Sequence, residues 1–276
     1  MWIRFFSAVI AAIVLFIAIF LSATVFYIFV FAVTMIGLFE YFRAMKTAGH
    51  KPFIIIGYIV SIAALLIVGS HVFLELELKI NYIPFYIIGT LLLMLTYTLS
   101  KPEKYSFVDL GVTVFGIIYV TILILYVILI RSLDNGVFLL LLMFVGIFAS
   151  DSFALFSGKL FGKHQLIARV SPKKTVEGSI GCVIGGTVFT VICGMLLSYT
   201  NINIPFYHLV IVGLMISIVA QFGDLMASSI KRQCGIKDFG TIMPGHGGVL
   251  DRIDSILFVA PLFYFYVTTF LTAYIK

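Results

Sequence analysis

Apolar runs of about 20 residues, each long enough to cross a bilayer as a helix, recur along this chain, and that repetition limits how it can fold. Of its 276 residues, 62% are hydrophobic and only 11% are charged. Soluble domains carry roughly 25% charged residues, so this chain is expected to reside in a membrane. There every backbone N–H and C=O must be satisfied within the protein, which leaves helices or a closed barrel. A barrel strand alternates apolar and polar positions over about 10 residues. The runs here are continuous, and the sequence predicts an all-α, polytopic integral membrane protein.

Nine transmembrane helices are expected, over residues 4–21, 24–42, 53–70, 82–99, 107–130, 137–157, 178–198, 207–229 and 255–275. The first two share one apolar run too long for a single crossing, with a weak turn at Leu21-Ser22-Ala23-Thr24. With the N-terminus in the cytoplasm, Lys79, Arg131 and Lys276 fall outside and the other 15 of the 18 Lys and Arg residues fall inside. That is the positive-inside distribution, and it helps account for the net charge of +6 without a nucleic-acid partner. No small-residue cleavage site follows a short apolar core, so the first segment is expected to be retained. Cys182, Cys193 and Cys234 show neither a disulfide framework nor metal-type spacing. Residues 1–135 are read as scaffold, lipid access and dimer contacts, and 136–276 as the catalytic region. Within the latter, loops at about 158–177 and 230–254 are separated by two crossings and so face the same compartment.

Residues 228–254 form a polar island, with Lys231, Arg232, Lys237, Asp238, His246, Asp251, Arg252 and Asp254 inside apolar surroundings. Charge gathered at a membrane boundary is costly unless it binds something. Gly245, Gly247 and Gly248 flank His246 after Pro244, and glycine lets backbone N–H groups approach an anion closely. Lys231, Arg232, Lys237 and Arg252 suit phosphate oxygens. Asp251 and Asp254, three apart at a helix start, share roughly one face. Carboxylates among phosphate-binding cations point to Mg²⁺; for Asp254 a helix N-cap is an equal alternative.

Asp224, in Gln-Phe-Gly-Asp-Leu, and Asp151, in Ala-Ser-Asp-Ser-Phe, stand near the cytoplasmic ends of apolar helices. Each needs a partner, a metal or a watery cavity; an intramembrane hydrogen bond is the plainer alternative, but both flank the same compartment as the two loops, so a shared site is expected. In the first loop, Ser171-Pro172-Lys173-Lys174 can begin a helix whose N-terminus faces an anion, with Glu177 close by. Lys159, Lys163 and His164 read as residues drawn to anionic headgroups. His50, His71 and His208 read as interfacial side chains, and Glu75 and Glu77 as solvated.

Taken together, Ser228, Lys231-Arg232, Lys237-Asp238, Gly240, Pro244, His246-Gly247-Gly248 and Asp251-Arg252-Ile253-Asp254 resemble the C-terminal signature of the phosphatidate cytidylyltransferases, or CDP-diacylglycerol synthases. Ser171–Gly178 and Asp151–Gly162 resemble the same family. The likeness covers the C-terminal half. Met243 stands where the family more often has Leu, Ile or Phe, and Leu155 where an aromatic is usual.

The resemblance implies a Mg²⁺-dependent reaction of CTP with phosphatidate that gives CDP-diacylglycerol and pyrophosphate. By the same likeness Asp224 and Asp251 would hold a metal centre that pairs Mg²⁺ with a monovalent cation such as K⁺. Asp151 and Asp254 are further metal candidates. Asp224, Asp251, Lys231 and Arg252 are the expected catalytic residues. Ser171, Lys173, Lys174, Lys231, Arg232, Lys237, Asp238, His246, Gly247 and Gly248 are expected to bind substrate. A homodimer in the plasma (inner) membrane, with its active site on the cytoplasmic side, is the implied setting.

The chemistry agrees with the residues. Nucleotidyl transfer needs cations on the triphosphate and an aligned nucleophile, and a phosphatidate phosphate is already ionised. The competing readings are a CTP-dependent polyprenol or lipid-alcohol kinase, which would release CDP, and a transporter coupling through Asp151 and Asp224.

Overall fold

The computed structural model describes residues 13–74, 82–197, 203–243, 245 and 247–275. Expectations for Glu75, Glu77, Lys79, Pro244, His246 and Lys276 lie outside the described residues. In chain order the helices are α1 (Ala23–Thr47), α2 (Ile54–Leu74), α3 (Tyr82–Ser100), α4 (Phe107–Gly116), α5 (Leu123–Ser132), α6 (Gly136–Phe161), α7 (Val176–Leu197), α8 (Phe206–Gln233) and α9 (Leu250–Tyr266). A π-helical turn at Ile117–Ile122 joins α4 to α5, and another, Val267–Leu271, extends α9. Among the described residues, seven helical stretches are long and apolar enough to span a membrane, and Ile88–Ser100 is a shorter apolar helix.

The break expected near Leu21 is present: residues 13–20 are helical, and Ser22 caps α1 by accepting the Val25 N–H. Several boundaries differ from expectation by four or five residues, α1 for instance running on to Thr47 and α6 to Phe161. Helix α9 begins at Leu250, not 255, and α8 runs on to Gln233. The all-α expectation also needs one amendment, an antiparallel hairpin of β1 (Gln165–Ile167) and β2 (Ser171–Thr175). Its register, Gln165 opposite Thr175 and Ile167 opposite Ser171, is irregular between those pairs. Such an irregularity admits Pro172, which has no N–H to give a ladder.

The chain divides into two compact units, Met1–Leu129 with Gln233–Asp251, and Ile130–Arg232 with Arg252–Lys276. The signature loop, Gln233–Asp251, falls in the first unit. In unit one, Leu38, Tyr41, Phe42, Leu65 and Tyr119 are fully buried. Gly116 lies so close to the Tyr41 ring that a methyl group there would overlap it. The Tyr41 hydroxyl donates to the Val112 carbonyl at 3.0 Å, and Thr121 in the π turn donates to Ser61 at 2.8 Å. Asp109 and Ser106 form a capping box at the start of α4.

Unit two is built on α6 against α7. With lipid outside, helices associate through close packing of small residues rather than through hydrophobic burial, and the contact is made accordingly. Gly181 faces Ser157, Gly185 faces Phe153, and Gly186 faces Ser150 and Ser217. Ser150 donates to Ser217 on α8 at 3.0 Å. At the end of the unit where α8 begins, His208 is buried rather than interfacial, with its Nδ1 2.7 Å from the Tyr266 hydroxyl. Rings of Tyr266 and Tyr274 pack against the imidazole.

Candidate active site

In unit one the signature loop leaves α8 and returns into α9, and its turns rest on glycine. Gly235, Gly245 and Gly247 have φ of +68°, +78° and +83°, a region that side chains with a Cβ rarely adopt. Met243 N–H donates to the Gly247 carbonyl at 3.0 Å and closes a tight turn between them. Asp251, in the first turn of α9, then gathers the loop. Its Oδ2 accepts the Phe239 N–H at 2.8 Å and the Gly248 N–H at 2.9 Å. A Cβ at Gly247 would lie 2.8 Å from that same oxygen. Lys237 and Asp238 are exposed on the loop.

The loop is also held from α1. Glu40 is completely buried; its Oε1 accepts the Val249 N–H at 3.1 Å and its Oε2 the Leu250 N–H at 2.8 Å. One turn later Arg43 donates from Nη2 to the Phe239 carbonyl at 2.7 Å. Gly240 and Gly248 abut the Glu40 carboxylate with no room for a side chain. Neither Glu40 nor Arg43 was expected at the site. A signal was present, however, because Glu40 is the sole carboxylate in the apolar run of α1, and an intramembrane carboxylate calls for a function.

In unit two the charged side chains face one another. Lys174 Nζ, on β2, lies 2.5 Å from Asp224 Oδ2 on α8. Asp151 on α6 lies within electrostatic reach of Asp224, Lys174 and Arg252. Asp254 on α9 is buried and lies within reach of Asp224, Lys231 and Asp151. Close helix contact sets this up: Gly223 abuts the backbone of Asp254 and Ser255, and Ser255 donates to the Ala220 carbonyl at 3.3 Å. Arg232 donates to the Val170 carbonyl at 3.4 Å and so tethers the hairpin turn to the end of α8.

The hairpin is clasped at its base. Glu177 Oε2 accepts the Lys163 N–H at 3.1 Å and the His164 N–H at 3.3 Å, and Oε1 lies 2.8 Å from His164 Nδ1. His164 thus helps to clasp the base of the hairpin. Lys173 is exposed and Lys174 half-buried.

Two local expectations are corrected. Ser171–Thr175 is a strand, and α7 starts only at Val176; proline at the second position of a bulged hairpin is accommodated as readily as at a helix start. Asp254 is not an N-cap, because it lies in the first turns of a helix that begins at Leu250. Its Oδ1 instead accepts the neighbouring Ser255 N–H at 2.7 Å. Asp151, Asp224, Asp254, Lys174, Lys231 and Arg252 thus share unit two, while Asp251, Lys237, Asp238, Gly247 and Gly248 belong to unit one.

Among the described residues, no group of three or more His, Cys, Asp or Glu side chains is arranged to hold a metal by itself. Mg²⁺ does not require that, since one or two carboxylates plus substrate phosphates suffice. Asp224 already carries a cation, the Lys174 ammonium, and the donors around it are hard carboxylate oxygens. That donor chemistry fits Mg²⁺.

The profile of the Cytidylyltransferase family matches residues 2–270. The chain is 34% identical to the phosphatidate cytidylyltransferase of Bacillus subtilis over 268 residues, 97% of each protein. It is 38% identical over 170 residues to the proteins of that name from Staphylococcus haemolyticus and Staphylococcus saprophyticus, 62% of this chain and 64% of each relative. With a profile match that runs almost from end to end and a full-length relative above 30% identity, the chain belongs to the cytidylyltransferase family.

Proposed function

We propose that this protein transfers the cytidylyl group of CTP to phosphatidate, yielding CDP-diacylglycerol and pyrophosphate. The full-length likeness to the Bacillus subtilis enzyme carries the reading. The unit-two cluster supports it: Lys174, Lys231 and Arg252 gather around Asp151, Asp224 and Asp254 at the ends of membrane-spanning helices. A phosphatidate oxygen attacks the α-phosphorus of CTP, the bond from that phosphorus to the bridging β-phosphate oxygen breaks, and pyrophosphate departs. The nucleophile is already an anion, so the protein's task is positioning and charge neutralisation.

In this proposal Lys173, Lys174, Lys231 and Arg232 bind phosphates, and the turn held by Gly247 and Gly248 packs against CTP. Asp224, with Asp151 and Asp254 nearby, would hold Mg²⁺, which when bound supplies neutralising charge to the triphosphate oxygens. Asp251 is the second ligand implied by the family likeness, and K⁺ is the proposed monovalent companion. The positive-inside bias supports a cytoplasmic-facing site in the plasma membrane.

The test is direct. Purified protein in lipid nanodiscs, given CTP, phosphatidate and Mg²⁺, is expected to release pyrophosphate and form CDP-diacylglycerol in equal amounts. Removing Mg²⁺ with a chelator is expected to stop both. Release of CDP with a phosphorylated lipid would replace this reading with the kinase.

A further inference from the structure

Glu40 stands at the start of α9 but comes from α1, more than 200 positions earlier in the chain. The first N–H groups of any helix lack partners within it. They are usually met by a Ser, Thr, Asp or Asn just ahead of the helix. Here the residues ahead of α9 are Gly247-Gly248-Val249, none of which carries a side-chain acceptor. Glu40 fills that role from a distance: Oε1 takes the Val249 N–H and Oε2 the Leu250 N–H. Asp251, the next residue, holds Phe239 and Gly248 through Oδ2, and Arg43 holds the other side of Phe239.

We propose that Glu40 is a positioning residue for nucleotide binding: it fixes where α9 begins, and so sets the Gly247–Asp251 turn against which CTP binds. This rests on the reading of the chain as a CTP-using enzyme. Two geometric facts favour positioning over simple cohesion. Both carboxylate oxygens of Glu40 are committed to consecutive N–H groups, which fixes the rotation as well as the position of the turn. The closest parts of the loop are Gly240 and Gly248, where any side chain would collide with the Glu40 carboxylate. The fit is therefore specific to this backbone path. Glu40 does not reach substrate; it acts through the turn.

The experiment compares the parent with Glu40→Gln and Glu40→Asp in nanodiscs, measuring KM for CTP, KM for phosphatidate and the thermal midpoint with and without CTP. Glu40→Gln keeps the shape but replaces one acceptor by an NH₂ group, so one N–H loses its partner. Its KM for CTP should rise about tenfold, the scale of one lost hydrogen bond to a charged group. KM for phosphatidate should stay within about twofold, and the upward shift of the midpoint by CTP should shrink in proportion to the weaker binding. Glu40→Asp, charged but shorter, should fall between the two. A parental KM for CTP in a folded Glu40→Gln variant, whatever its midpoint, overturns the proposal. Should that variant not fold, Glu40→Asp is judged by the same criterion. A parent that turns over no CTP would instead defeat the functional reading itself.

Discussion

Two groups of acidic side chains lie within membrane-spanning helices of this protein, and they use their oxygens differently. In unit one, Glu40 and Asp251 direct carboxylate oxygens at backbone N–H groups of the signature loop, at 2.8–3.1 Å. In unit two, Asp151, Asp224 and Asp254 face charged side chains, Lys174, Lys231, Arg252 and one another, and Asp254 also accepts the N–H of its neighbour Ser255. A carboxylate that receives backbone N–H groups holds a chain path in place. Carboxylates that face side-chain cations are the ones a metal or a phosphate can rearrange. The first group shapes the loop, with Asp251 also a proposed metal ligand, and the second faces the charges that a metal or a phosphate would meet.

Substitutions that keep shape but remove charge should therefore separate the two groups. The largest effect is expected from Asp224→Asn, which should cut turnover by at least about a hundredfold, as removal of a metal or charge-stabilising group does. Its helical circular dichroism and thermal midpoint should stay near those of the parent. A variant that retained parental turnover would break the contrast.

Glu40→Ala should show the reverse pattern. It leaves two buried N–H groups without partners, at about 1–3 kcal/mol each, so the thermal midpoint should fall, in addition to the weaker CTP binding expected at this position. A thermal midpoint equal to the parent's would show that the buried carboxylate does not hold the loop.

Lys174→Ala should be intermediate. The pair it makes with Asp224 is partly exposed, with side chains at 25% and 38% of full accessibility. Its loss should therefore cost stability less than about 1 kcal/mol. A phosphate ligand would be gone, however, and kcat/KM should drop about tenfold or more. Rescue by Lys174→Arg would sharpen the assignment to charge.

The smallest effect is expected for His164→Ala. The clasp with Glu177 is solvated on the histidine side, at 76% accessibility. The thermal midpoint should barely move, since exposed pairs contribute little, and turnover should change little. A large loss would mean that the hairpin base is part of the site.

The helical spans could be read from sequence because continuous apolar runs leave the backbone few choices in lipid. Asp151, Asp224 and Asp254 could also be picked out, since charge within such a run stands apart. The hairpin at 165–175 could not. Ser-Pro-Lys-Lys suits a helix start as well as a bulged strand, and only the pairing of Val176 N–H with the His164 carbonyl decides between them. Asp254 was ambiguous because the five residues Leu250–Ile253 and Asp254 itself read as loop or helix alike, and α9 begins early only with Glu40 capping it from α1. That contact spans the length of the chain, and no local pattern encodes it. Glu40 itself was visible, as the single carboxylate of α1, but its partner was not.

The most direct test of the central claim follows each phosphorus of CTP. The protein in nanodiscs is supplied with phosphatidate, Mg²⁺ and CTP labelled either at the α- or at the γ-phosphate. Cytidylyl transfer predicts that the α-label moves into the lipid fraction and the γ-label appears in pyrophosphate. Label from the γ-position in lipid, with the α-label left in CDP, would contradict the account, and so would no transfer of either.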